Sequence, residues 1–191
     1  MLVLRIREIA NTNVLAGATN GKLALGELIA RLPKAEIPKV IILDFSGVEV
    51  ATGSFLREAV LAFRDYCRIN RSNLYPVVAN LSCEVAEELE FVLNDLGQAL
   101  VICAYTDSLL NKGRIIGILD EKQRIALNAV SEFGQADAGQ LQKKYNEHEN
   151  ISITGWNNRL AALSLKGILM EFKSGRSKVY RPIVEGLEHG G

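Results

Sequence analysis

Four short runs constrain this chain more than any other feature: "KVIILDF", "LYPVVANL", "ALVICAY" and "RIIGIL", spread between Lys39 and Leu119. Each is compact, apolar and rich in β-branched side chains, as buried strands require. Between them lie helical patterns at Phe55–Arg68 and Cys83–Leu96. The second carries Val85, Leu89, Val92, Leu93 and Leu96 on one stripe, with Glu84, Glu87, Glu88 and Glu90 turned outward. Upstream, Leu2–Ile9 reads as a strand, and Lys22–Leu32 as a helix with Leu25, Leu28, Ile29 and Leu32 on one face. Strand and helix alternate, so residues 1–118 are expected to form an α/β domain, helices covering a mixed sheet.

After Leu119 the rhythm changes. Asp120 with Gln123, and Asp137 with Gln140, each place a capping carboxylate three residues before a glutamine, the start signal of a helix. A third helix is expected over about Thr154–Lys166, with Trp156, Leu160 and Leu163 on its packed side. Two strand-like runs then flank Ser174-Gly175-Arg176, where Gly175 can supply the positive φ of a hairpin turn. Residues 119–184 therefore read as a second, α+β domain, and 185–191 as a disordered tail.

Charge and composition exclude more than they assign. The 22 basic and 22 acidic side chains cancel, so the chain as a whole points to neither nucleic acid nor membrane. No apolar run approaches the ~18 residues that span a bilayer, and "MLVLRIREIA" is too short and charged for a signal peptide. Cys67, Cys83 and Cys103 lie in apolar patterns without CxxC spacing and read as buried thiols of a reducing compartment, hence a cytoplasmic protein. With His148 and His189 the only histidines, neither a zinc centre nor a histidine triad has its material. "GATNGKL", Gly17–Leu23, has three residues between its glycines where a P-loop needs four, and Leu23 where it needs a hydroxyl. Neither catalysis nor a cofactor is expected.

One segment departs from neutrality. From Ile153 to Ile183 there are six cations, Arg159, Lys166, Lys173, Arg176, Lys178 and Arg181, against the single anion Glu171. At 100° per residue, Thr154, Asn158 and Ala161 point away from Trp156 and Leu160, flanked by Asn157 and Arg159. Amide and guanidinium side chains at an exposed helix start suit the edges of adenine and guanine, and the cations suit phosphates. Together "LDEKQRIALNAV", "DAGQLQKKY", "SITGWNNRLAALSLKGIL" and "FKSGRSKVYRPI" resemble the winged helix-turn-helix family. The resemblance implies double-stranded DNA as partner, with the third helix in the major groove. It also implies a homodimer reading two half-sites. A protein-binding role for the same hairpin is the alternative.

The stretch "VIILDFSGVEVATGSFLREAV" resembles the STAS family, and especially its STAS-like branch, the fold of bacterial anti-sigma-factor antagonists. The matching features are a buried strand ending in Asp44, the "SGVE" turn, a short strand and a helix beginning at a small hydroxylated residue. In that family a serine at the position of Ser54 is phosphorylated by a partner kinase. Thr52 stands where the family has an acidic residue, and Phe55 where it has glycine. The resemblance implies a partner-binding or phospho-acceptor edge at Thr52 and Ser54, read by an ATPase-type kinase. From the residues alone, Ser54 reads as the N-cap of "FLREAV". The combined expectation is a transcription regulator, or alternatively an adaptor without a nucleic-acid role.

Overall fold

The computed structural model describes residues 1–149, 151–175 and 177–189, the side chains of 146–149 and 188–189 excepted. The chain is mixed α/β around a mostly parallel six-stranded sheet. The first half contains β1 (Leu2–Arg5), α1 (Ile6–Ala10), β2 (Val14–Leu15), α2 (Ala18–Ala30), β3 (Lys39–Asp44) and β4 (Val50–Ala51). There follow α3 (Gly53–Leu56), a π-helical turn (Arg57–Leu61), α4 (Ala62–Asn70), β5 (Leu74–Ala79), α5 (Cys83–Asp95), β6 (Ala99–Thr106) and β7 (Leu109–Gly117). The last third contains α6 (Glu121–Phe133), α7 (Ala138–Glu149), α8 (Ile153–Leu165), β8 (Leu169–Ser174), β9 (Ser177–Pro182) and β10 (Glu188–His189).

The strand order is β1-β3-β5-β6-β7-β10. β1, β3, β5 and β6 run parallel, with Leu4 opposite Leu43 and Leu43 opposite Val78. β7 returns antiparallel through Asp107 and Ser108, both at positive φ, as a two-residue hairpin turn requires. The 185–191 segment, read from the sequence as a disordered tail, carries β10, whose Glu188 pairs parallel with Arg114 of β7.

Successive strand residues feed opposite faces. On the front, Ile41, Leu43, Leu74, Val78, Leu100 and Ile102 pack under α2, α3–α4 and α5. On the back, Ile42, Tyr75, Val77, Ala99, Val101 and Ile115 pack against Leu127, Val130, Leu141, Trp156, Leu160 and Leu163 of the C-terminal helices. All six residues of β5 are buried because both faces are covered. Residues 119–184 thus share one apolar cluster with the sheet. A polar seam joins them too: Arg68 donates to the Ser164 carbonyl at 3.0 Å, and the Glu171 amide donates to Tyr75 Oη at 2.9 Å.

Local signals account for most helix boundaries. Asp120 and Gln123 form a reciprocal capping box, as do Asp137 and Gln140. Gly175 turns the β8–β9 hairpin at φ +61. Two readings shift. Ile6–Ala10 leaves the expected Leu2–Ile9 strand and becomes helical, placing Ile6 and Ile9, three residues apart, on the front core. The helix expected from Lys22 starts at Ala18, inside "GATNGKL", where Gly21 lets it meet Phe55 and Glu58; a Cβ there would sit 2.9 Å from Glu58 Cβ.

Candidate nucleic-acid interface and partner-facing turn

Ser152 caps α8 by accepting from the Gly155 amide at 3.1 Å. Below this start, Trp156, Leu160 and Leu163 are wholly buried, which fixes the rotation of the helix and turns Thr154, Asn157, Asn158 and Ala161 to solvent. One large apolar residue shares that exposed side, Leu165, while Ile153 is exposed at the helix start on the side of Leu160. The antiparallel hairpin β8–β9 follows, and its register sets Lys173 directly opposite Lys178. Two like charges facing each other across strands repel unless an anion intervenes. Lys178 reaches Glu171 Oε1 at 2.9 Å, while Lys173 is exposed.

Ala161 and Leu165 of α8 and Lys173 and Lys178 of the hairpin line one groove of about 700 Å³. The remaining cations go elsewhere. Arg159 turns inward, its guanidinium 5.7 Å from the Trp156 ring centroid and its Nη1 buried without a hydrogen-bond partner among the described residues. Lys166 is half-buried near Arg64, Asp65 and Asp120; burial first, then the Arg64 charge, holds its pKa below the usual lysine range. Arg181 lies over the Phe172 ring at 4.6 Å, and strand alternation puts it on the hairpin face away from Lys173 and Lys178. Arg176 lies outside the described residues. Of the nine positions expected to bind DNA, Thr154, Asn157 and Asn158 are exposed on the first turns of α8, Lys173 and Lys178 stand by its last turns, and Arg159, Lys166 and Arg181 are turned elsewhere.

At the other end of the chain, the cap of the helix that begins at Gly53 is Thr52, not Ser54. The Thr52 hydroxyl accepts from the Phe55 amide at 3.4 Å and from the Gly17 amide at 3.2 Å. Ser54 is half-buried, its Oγ 3.1 Å from Thr52 Oγ1. Glu88, expected to point outward, instead accepts from the Gly53 amide at 2.7 Å. A carboxylate therefore already sits where the helix dipole favours negative charge. Gly53 is required for this approach, since a Cβ would lie 2.8 Å from Val92 Cγ2 and 2.9 Å from Glu88 Oε1. Asp44 is buried and accepts from the Ser46 amide, the Ser46 hydroxyl and Asn80 Nδ2, tying together the ends of β3 and β5.

Sequence reading missed the arginines of the seam. Arg64 and Arg68, one helical turn apart, are both buried. Arg64 bonds the Ala99 carbonyl and Gln98, and Arg68 bonds the Leu74 and Ser164 carbonyls with its guanidinium 3.7 Å from the Tyr75 ring centroid. Arginine is ordinarily exposed, so an i, i+4 pair carries no burial signal of its own. Cys83 also differs from expectation: it is exposed at the first turn of α5, whereas Cys67 and Cys103 are buried. Among the described residues no cluster of three or more histidine, cysteine, aspartate or glutamate side chains could hold a metal ion. No helix among them is long and apolar enough to cross a membrane.

Comparison of the chain with protein-family models, with curated proteins and with solved structures finds no match.

Proposed function

We propose that this chain is a cytoplasmic DNA-binding regulator. In this reading residues 119–184 act as a winged helix on double-stranded DNA, and residues 1–118 act as a STAS-like module that engages a protein partner. The observation that carries the reading is the outer side of α8. Its polar residues Thr154, Asn157 and Asn158 are uncovered while the opposite side is buried, and the opposed Lys173 and Lys178 stand beside it. Asn158 and Asn157 have the donors and acceptors to read a base edge, and the two lysines supply phosphate contacts. A regulator reading two half-sites works as a homodimer.

A salt titration of a labelled mixed-sequence duplex tests this reading. Micromolar binding that weakens steeply between about 50 and about 200 mM salt is expected. Asn158→Ala should alter sequence preference, and Lys173→Glu should weaken all sequences alike.

A second reading draws on a specific observation: Ala161 and Leu165 are exposed on the helix side that carries Asn158. Apolar residues there favour a protein-binding adaptor, and absence of duplex binding even at low salt would select it.

For the N-terminal part, an ATPase-type kinase acting on Ser54 would set a phosphate beside the Glu88 carboxylate at the start of α3. The added charge would alter what a partner meets at that edge without unfolding the domain. Ser54→Asp should change partner binding with little change in melting temperature.

A further inference from the structure

The groove beside α8 has two walls, and only one belongs to the C-terminal third. Its far wall is made by Ile37, Pro38, Ser72 and Asn73, from the loops that enter β3 and β5. Ser72 and Asn73 also line an adjoining cavity of about 260 Å³, which Lys34 and Arg71 border. Both cations are exposed, and neither forms an ion pair among the described residues. The uncovered stripe of α8 from Thr154 to Leu165 is roughly 16 Å long at 1.5 Å per residue. A major groove about 12 Å wide admits one helix and sets a phosphate strand on either side of it. Lys173 and Lys178 line the groove together with the last turns of α8, and Lys34 and Arg71 border the cavity beyond its far wall.

We infer that Lys34 and Arg71 of the α/β part form a second phosphate-contacting rim, so that a DNA duplex seated on α8 spans both parts of the chain. This rests on the DNA-binding reading above and deepens it. The site is electrostatic and independent of base sequence, because these residues lie beside the groove and not on the helix that enters it. Glu36 belongs to the same rim, and its carboxylate opposes the phosphates. Since the rim is carried by residues 33–38 and 70–73, any displacement of those loops by a partner would act directly on DNA affinity.

The test is a fluorescence-anisotropy titration of the full chain against a mixed-sequence duplex, at several salt concentrations. The variants are Lys34→Glu/Arg71→Glu, Lys173→Glu, Glu36→Gln and the control Lys22→Glu. Lys22 is exposed on α2, which covers the opposite face of the sheet. Each lost phosphate contact lowers the slope of log affinity against log salt by about 1. The double variant should therefore lose about 2 in slope, fall at least tenfold in low-salt affinity, and keep the wild-type melting curve. Glu36→Gln should bind more tightly than wild type. If Lys173→Glu weakens binding while the double variant matches Lys22→Glu, the rim is overturned and the DNA reading stands. If the wild-type chain binds no duplex at low salt, the DNA reading itself is lost, and the rim with it.

Discussion

The front of the sheet is covered by helices that connect its own parallel strands, whereas the back is covered by residues 119–184, which form the long connection between β7 and β10. Front packing follows from topology: when strands are added one after another in a single direction, each crossover helix falls on the same side. That leaves a parallel sheet with a bare back, a state such sheets do not tolerate. The back cover is therefore structural, whatever else it does. The same helix that buries Trp156, Leu160 and Leu163 against it presents Thr154, Asn157 and Asn158 outward. Packed side chains and the Arg68–Tyr75–Ser164 seam connect that helix directly to the sheet.

The sharpest way to break this comparison is Trp156→Ala. Emptying the middle of the back core should cost about 3–5 kcal/mol. If front and back are one unit, denaturant unfolding followed by circular dichroism and by tyrosine fluorescence stays coincident. Separate transitions would show that the back cover unfolds on its own and that front and back are not one cooperative unit.

Arg68→Met probes the seam itself. Methionine fills much of the volume but strands the Ser72 and Leu74 carbonyls and leaves the Ser164 carbonyl with only the Gly167 amide. About 3 kcal/mol of destabilisation is expected, at about 1–3 kcal/mol per stranded group. Local hydrogen exchange should rise at the end of α8 and in β8 before it rises in α2. A uniform rise would place the weak point in the sheet instead.

On the front, Thr52→Ala should cost about 1 kcal/mol as a lost cap, and Ser54→Ala less than about 0.5 kcal/mol, because its hydroxyl holds no helix amide. A larger loss at Ser54 in thermal melts would return the capping role to it.

The smallest effect concerns the thiols. Cys83 should react with a maleimide at neutral pH in the native chain, and Cys67 and Cys103 only after unfolding. Burial pushes both of the latter up to about 12 from a reference of 9.0. An unfolded thiol ionises from about pH 9, while the folded one keeps its proton to about 12. The unfolded chain thus binds fewer protons in that window, and stability should fall as pH rises through it. Chemical denaturation at a series of alkaline pH values reads this directly. Labelling of two thiols in the native state would contradict the core packing.

Legibility followed range along the chain. The strand runs, the capping boxes at Asp120 and Asp137, the Gly175 turn and the buried side of α8 were readable, because each depends on residues a few positions apart. The β6–β7 hairpin was not, since Asp107-Ser108 lacks the Asn-Gly or Asp-Gly signature of its turn. Ser54 was read as the cap because the helix was expected to start at Phe55, two residues later than its actual start at Gly53. Glu88 was read as solvated because its partner, Gly53, is 35 residues away.

For the candidate interface, the sequence by itself determined which residues α8 turns outward, since helical periodicity is local and Trp156, Leu160 and Leu163 choose the buried side. Only the tertiary structure decided which cations share that surface. Strand register set Lys173 against Lys178 and sent Arg181 to the other face, and burial turned Arg159 and Lys166 inward. The packing of residues 119–184 onto the back of the sheet set the loops before β3 and β5, which carry Lys34 and Arg71, across the groove from α8. Net charge along a segment is a sum over sequence, whereas the field that a partner meets is set by where each charge stands in space.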